Sequence, residues 1–353
     1  MSHISKNVKK WIPLRLPSVS SLNRSSKPRW YNVLIVFLVV LIVLDHIHNF
    51  SYAEFSRLFH ESDDLDISDT DLMMMDDEVT KSPKSGNLTE VVIEMNDRVP
   101  TFKLATKSGE KPASESDQGL NQLYEELHLQ ETCQRDSSTI VVDVGASLGN
   151  FGLYAAACGC TVYMFEIKKE LITLIQSSMN HNTFTSPPVN VFNKAVSDMP
   201  TDSTMDYRPP DDAAADSISI QTIRLDDVEW SATSIYILKI DVEGSEQSVL
   251  RSAENLFSQK RIQNVILKYS PWLAEQTQQK PLLMYMRRDL KARFIYSLYP
   301  TTPTFYGPLV PMHFTTLNEQ LSQVHAETHI YASFDSKATR SSIKSEPFAS
   351  YKP

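Results

Sequence analysis

Asp143, Gly145, Ser147, Gly149 and Asn150 stand where the apolar run Ile140-Val141-Val142 gives way to a segment that reads as a helix. A second apolar run, Val162-Tyr163-Met164-Phe165, ends in Glu166, 17 residues after Gly149. Glycines let a backbone come close to a ligand, a helix start offers free N–H groups, and an acid at the second strand end accepts ribose hydroxyls. The pattern predicts a βαβ unit that holds an adenosine-containing cofactor, with ordinary turn glycines and a helix-capping Glu166 as the plainer alternatives.

The glycine spacing selects among cofactors. A dinucleotide fingerprint places its second glycine where a pyrophosphate needs bare backbone, and here that position is Ser147. This argues against NAD and for a cofactor without phosphate, such as S-adenosylmethionine. Asp143 could attract the cationic methionine end of such a ligand. Asp198 either approaches the adenine amino group or is a solvated turn acid.

A second group of acids lies further along, in Ile237-Leu-Lys-Ile-Asp-Val-Glu-Gly-Ser-Glu246. Asp241 closes an apolar strand, where an ionised carboxylate is costly unless it has a partner or faces a site. It could serve as the base that removes a hydroxyl proton during methyl transfer, or orient the acceptor. Glu243 and Glu246 either join it or charge the start of the next helix. Asp226 and Asp227 read as turn residues. No metal-ligand set is evident, and no metal is assigned.

Val141-Val-Asp-Val-Gly-Ala-Ser-Leu-Gly-Asn150 resembles motif I of class I S-adenosylmethionine-dependent methyltransferases. With Val162–Glu166, Val191–Asp198, Thr222–Val228 and Ile237–Ala253 in order, the chain resembles the FkbM-type family over roughly residues 137–335. The resemblance implies a Rossmann-like sheet of about seven strands with helices on both faces, and methyl transfer to oxygen on a sugar or small metabolite. One departure stands out. The fifth strand commonly ends in an acid, whereas this chain reads Val265-Ile-Leu-Lys-Tyr269, which puts Lys268 near the expected acceptor pocket or in an ion pair with one of the carboxylates. Two rivals remain. One is a catalytically silent binding module. The other is an α/β-hydrolase in which Gly145-Ala-Ser-Leu-Gly149 is a nucleophile elbow, with Ser147, Asp241 and His325 or His329 as the triad.

These residues need strands to carry them. Apolar strands are expected at 140–144, 162–166, 190–196, 235–241, 262–269, 294–298 and 329–334, with helices at 168–180, 245–257 and 281–294. Such alternation predicts a parallel-dominated sheet covered on both faces, with Asp143, Glu166 and Asp241 at carboxyl ends of strands.

The remainder of the 353 residues reads as attachments. Residues 1–30 carry seven lysines and arginines and no acid. Val33–Leu44 is unbroken apolar sequence, and acids dominate beyond it. The asymmetry predicts a single-span anchor over 31–50, with a cytosolic N-terminus and a lumenal remainder in the Golgi or endoplasmic reticulum. A cleaved signal peptide or an organelle transit peptide are the alternatives. Residues 51–136 read as a largely disordered acidic and polar stem carrying the sequon Asn87-Leu-Thr89, and 336–353 as a disordered tail. Cys133, Cys158 and Cys160 form no disulfide framework and read as packing thiols. The net charge of −9 argues against nucleic acid as a partner. Oligomeric state is not written in the sequence.

Overall fold

A computed structural model describes residues 89–109, 118–184, 186–208, 217–276, 282–298, 304–335 and 343–348. Of the two units into which the chain divides, 1–83 and 84–353, the second holds every described residue. The expected anchor, the acidic part of the stem and Asn87 lie outside the described residues.

The chain enters through a hairpin of β1 (Glu90–Met95) and β2 (Phe102–Lys107), then two helices, α1 (Gln118–Glu126) and α2 (Leu129–Arg135). The βαβ core follows as β3 (Ile140–Val144), α3 (Asn150–Ala157), β4 (Thr161–Phe165), α4 (Lys169–Asn182) and β5 (Val189–Phe192). A side sheet is built from β6 (Ala195–Val196), β7 (Thr204–Tyr207) and β8 (Ile218–Ile223). Next come β9 (Ile235–Ile240), α5 (Glu246–Arg251), α6 (Glu254–Ser258), β10 (Ile262–Tyr269), α7 (Pro271–Gln276) and α8 (Leu282–Arg288). The chain closes with β11 (Phe294–Leu298), β12 (Phe305–Tyr306), α9 (Pro311–Gln323), β13 (Thr328–Ser333) and β14 (Ser345–Glu346).

The main sheet runs β14-β12-β11-β13-β10-β9-β3-β4-β5. Seven of these strands are the expected ones. The short β12 and β14 extend the edge and raise the total to nine. β5, β4, β3, β9 and β10 are parallel, and β13 runs antiparallel to both β10 and β11. Strand order reverses beside β3, so the carboxyl ends of β3 and β9 flank the crevice where open α/β sheets bind ligands.

Alternate residues of each strand feed two cores. Val142, Leu238, Ile240 and Leu267 pack with α5, α6, α8 and α9 on one face. Val141, Met164, Ile237 and Ile266 pack with α1, α2 and α3 on the other. That second core also takes Phe102 and Leu104 of β2, Leu123 and Tyr124 of α1, and Ile343. The described fold therefore reaches back at least to residue 89, ahead of the expected start at 137, because the β3 face would be bare without the hairpin and α1–α2. The tail is likewise partly ordered: β14 pairs with β12, and Ile343 and Phe348 are buried. The single helix expected over 245–257 is two, since the chain turns at Ser252 and Ala253. Cys133 and Cys160 are joined by a disulfide with Cα atoms 4.8 Å apart, contrary to the reading of them as packing thiols. Their separation of 27 residues gave no signal, and only the packing of α2 against β4 brings them together. Cys158 stays a buried free thiol.

Candidate functional site

One crevice, a cavity of about 320 Å³, opens at the carboxyl ends of β3, β4 and β9. Gly145, Ser147, Glu166, Asp241 and Glu243 line it together with Lys268. Ile167, Leu171, Ala195, Val196 and Met205 form an apolar wall beyond Glu166, and Tyr207 stands beside Glu243.

Gly145 is required by closeness. Its φ is +77°, and a Cβ there would lie 2.0 Å from the carbonyl oxygen of Asp241. The β3–loop and β9–loop corners therefore touch backbone to backbone. The loop is tied to β4 by the Gly145 and Ala146 N–H groups, both donating to the Phe165 carbonyl at 2.9 and 3.1 Å.

Glu166 is 6% exposed, and its carboxylate is met by three backbone donors. Ser147 N–H donates to Oε2 at 2.7 Å, and Ile167 and Lys168 N–H donate to Oε1 at 2.9 and 3.0 Å. Burial pushes this carboxyl up from the ordinary range, against the pull of those N–H groups. Glu166 thus fastens the turn that leads into α4 and edges the cavity.

Asp143 has a different place from the one expected. It is fully buried and does not line the cavity. Its Oδ2 accepts from Gly152 N–H at 3.1 Å, in the first turn of α3, and its Oδ1 lies 3.3 Å from Lys239 Nζ. Burial raises its pKa while Lys239 opposes the shift. A carboxylate of the chain itself thus takes the helix start that a dinucleotide's phosphate would need. Gly149 and Asn150 shape that turn but do not line the cavity, and Gly149 has a φ of +84°.

Registers place Asp143 beside Lys239, two residues below a second row formed by Gly145, Asp241, Lys268 and His329 on or just past four neighbouring strands. Charges alternate across it. Lys239 Nζ lies 3.9 Å from Asp241 Oδ2, and Lys268 Nζ lies 3.0 Å from Glu327 Oε1 at the exposed rim. Burial alone would lower the Lys268 pKa, but Asp241, Glu327 and Glu243 raise it on balance. His329, next along, is pushed down to about 4 by burial and by Lys239 and Lys268, although Asp241 pulls the other way.

The hydrolase triad does not assemble. Lys268 stands between Asp241 and His329, and three strand spacings, roughly 14 Å, separate the Gly145 and His329 positions. His325 packs its ring on Trp272 instead, with centroids 5.6 Å apart.

Glu243, at φ +51°, accepts from Tyr207 O–H at 3.2 Å. Glu246 is buried outside the cavity lining, accepts from Gly244 N–H at 2.9 Å, and has its pKa raised by burial. Its place is at the start of α5. Asp198 also lies outside the lining. Its Oδ1 accepts from Ser248 O–H at 2.6 Å and its Oδ2 lies 3.7 Å from Arg251, which turns the carboxylate from the crevice. Asp226 accepts from Asn255 and Leu256 N–H at 3.1 and 3.0 Å and caps α6, in keeping with a structural role. Met205, Tyr207, Lys239 and Lys168 escaped the sequence reading. Only Lys239 left a trace, as a lysine within an otherwise apolar strand. Among the described residues no three or more His, Cys, Asp and Glu side chains gather as a metal-binding group, and no helix is long and apolar enough to cross a membrane.

No curated protein matches the chain. Among solved structures, it is similar to the methyltransferase FkbM from Methylobacillus flagellatus KT, at 19% identity and a TM-score of 0.35 over 56% of this chain and 44% of that one. It is also similar to an S-adenosylmethionine-dependent methyltransferase from Agrobacterium tumefaciens, at 11% identity and a TM-score of 0.39 over 72% and 73%. The 16S rRNA N2 G1207 methyltransferase of T. thermophilus gives 13% and 0.38 over 72% and 53%. The family model described as the methyltransferase FkbM domain matches residues 143–296, a span that runs from Asp143 through the carboxylate-bearing corner to β11. Residues 143–296 of the chain thus match the methyltransferase FkbM domain, the family that the sequence motifs resemble.

Proposed function

We propose that this protein transfers a methyl group from S-adenosylmethionine to a hydroxyl oxygen of a sugar or small metabolite. The observation that carries the reading is the meeting of Glu166, the Gly145 corner and Asp241 in one crevice with an apolar far wall. That set fits a phosphate-free nucleoside, because Asp143 already occupies the N–H of the helix start. Bound there, S-adenosylmethionine supplies an electrophilic methyl group. Glu166, pre-oriented by three N–H groups, accepts the ribose hydroxyls. Ile167, Leu171, Ala195, Val196 and Met205 offer the base a dry wall. Gly145 and Ser147 admit the amino-acid end. Asp241, held between Lys239 and Lys268, takes the acceptor's hydroxyl proton as the oxygen–carbon bond forms, or orients that hydroxyl. Glu243 with Tyr207 borders the acceptor side.

Calorimetric titration of residues 84–353 with S-adenosylmethionine, beside Glu166→Ala, tests the reading. Saturable binding is expected, weakened roughly 10- to 100-fold by the loss of two charge-assisted hydrogen bonds. A folded protein that fails to bind would end it. Binding without transfer to any hydroxylated acceptor would favour the silent module.

We further propose that residues 31–50 anchor the chain, with the N-terminus in the cytosol and the catalytic unit in the secretory lumen. The Cys133–Cys160 disulfide supports an oxidising compartment. Protease protection of the catalytic unit in sealed microsomes is the expected result. Digestion without detergent would point instead to the cytosolic face.

A further inference from the structure

At the end of the sheet opposite the crevice, α8, the start of β11, the end of β13 and the turn before β10 surround an open groove of about 1010 Å³. Its rim is basic, with Lys260, Arg287, Arg288, Lys291 and Arg293, while Glu254 and Asp289 are the acids among its lining residues. The local excess of positive charge stands out in a chain of net charge −9. Part of the cluster is structural. Arg287 Nη1 donates to the carbonyls of Ala292 and Arg293 at 2.6 and 2.5 Å, and Lys291 Nζ donates to that of Arg288 at 2.6 Å. Those partners are neutral carbonyls. Glu254 is already engaged by the Tyr285 hydroxyl at 2.7 Å. Among the described residues no ion pair reaches Lys260, Arg287, Arg288 or Lys291. Lys260 and Lys291 also hold left-handed backbone, φ 57° and 66°, a conformation in which glycine would be unstrained. A lysine at each position keeps a cation where the backbone alone would favour none.

We propose that this groove binds an anionic glycan, a polymer bearing repeated sulfate or carboxylate groups. Arginine forks suit both anions. Nucleic acid fits less well, because single strands use exposed aromatic faces for stacking, whereas Phe257 in the groove is 7% exposed and packs on Phe334. The disulfide also argues for a compartment where anionic polymers are chiefly carbohydrate. The surface would hold a polymer at a point remote from the methyl-transfer crevice.

The full chain in detergent, titrated with a heparin hexasaccharide at about 0.15 M salt, tests this, since affinity should be saturable and fall with added salt. Lysine acylation with and without the hexasaccharide locates the contact, and Lys260 and Lys291 should be protected. The double variant Lys260→Glu, Arg288→Glu changes two exposed side chains. It should weaken binding by about tenfold or more while S-adenosylmethionine affinity stays unchanged. Protection confined to Lys6, Lys9 and Lys10 would overturn the assignment, as would a double variant that binds heparin normally. Tighter binding of polyglutamate or of an oligouridylate RNA would overturn the choice of a glycan.

Discussion

Gly145 and His329 show how single residues report on the site. Gly145→Ala meets two obstacles: left-handed backbone costs a side chain about 1–2 kcal/mol, and its Cβ would sit 2.0 Å from the Asp241 carbonyl oxygen. The β3 and β9 corners must separate, so denaturant unfolding should show a larger loss than the backbone cost alone, together with lost S-adenosylmethionine binding. Unchanged stability would mean the two corners do not touch. For His329 the sign follows from a folded pKa of about 4 against 6.5 for an ordinary histidine. Between those values the unfolded chain takes a proton that the native imidazole refuses. This group therefore destabilises the fold as pH drops from 6.5 toward 4, by about 3 kcal/mol over the window. His329→Gln should remove that slope, read as the difference between the two stability–pH curves. Parallel curves would place His329 in a more solvated setting. These properties could not be read from the chain, because a histidine gains its neighbours only from strand register.

At the scale of elements, the start of α3 is fastened to β3 and β9 by Asp143, Gly152 and Lys239. Removing the carboxylate takes the nearer acid from Lys239, which keeps Asp241 at 3.9 Å, and the acceptor from Gly152 N–H, so Asp143→Ala should cost about 1–3 kcal/mol in chemical denaturation. Asp143→Asn, which can still accept from Gly152 N–H, should cost less. Equal losses would mean that the hydrogen bond from Gly152 N–H contributes nothing. A second fastening joins α2 to β4. Closing a loop of 27 residues, the Cys133–Cys160 bond should contribute about 3–4 kcal/mol by restricting the unfolded chain. Cys133→Ser with Cys160→Ser should lower the midpoint accordingly, and added reductant should then have no further effect. The strands themselves were legible, since Ile140–Val144, Ile235–Ile240 and Ile262–Tyr269 are apolar runs between turn residues. The β7–β8 hairpin was not. Its alternation is blurred by polar residues such as Asp206 and Gln221, and its pairing is settled by contact with the β6 edge.

For the whole molecule, the boundary of the folded unit is the sharpest test. The face of β3 toward α3 shares its core with Phe102, Leu104, Leu123, Tyr124 and Leu129. Residues 137–335 alone would expose those contacts and forfeit several large apolar side chains, each worth about 1.5–3 kcal/mol. That fragment should show no cooperative unfolding, whereas residues 84–353 should unfold in one transition. Cooperative unfolding of the shorter piece would make the hairpin and α1–α2 appendages.

The sequence by itself determined the order of motifs and the strand ends at which Asp143, Glu166 and Asp241 sit. Apolar periodicity and turn chemistry are local, and a strand end is visible wherever an apolar run meets Gly, Asp or Glu. Tertiary structure decided which acids face the crevice. Asp143 turned inward to a helix start and a lysine, Asp198 turned to Ser248 and Arg251, and Glu246 turned to its own helix start. It also set Lys239 and Lys268 around Asp241, joined Cys133 to Cys160, and extended the fold back to residue 89. Each of these depends on groups far apart in sequence. Their meeting is fixed by sheet register and by the burial of two shared cores, which no local pattern encodes.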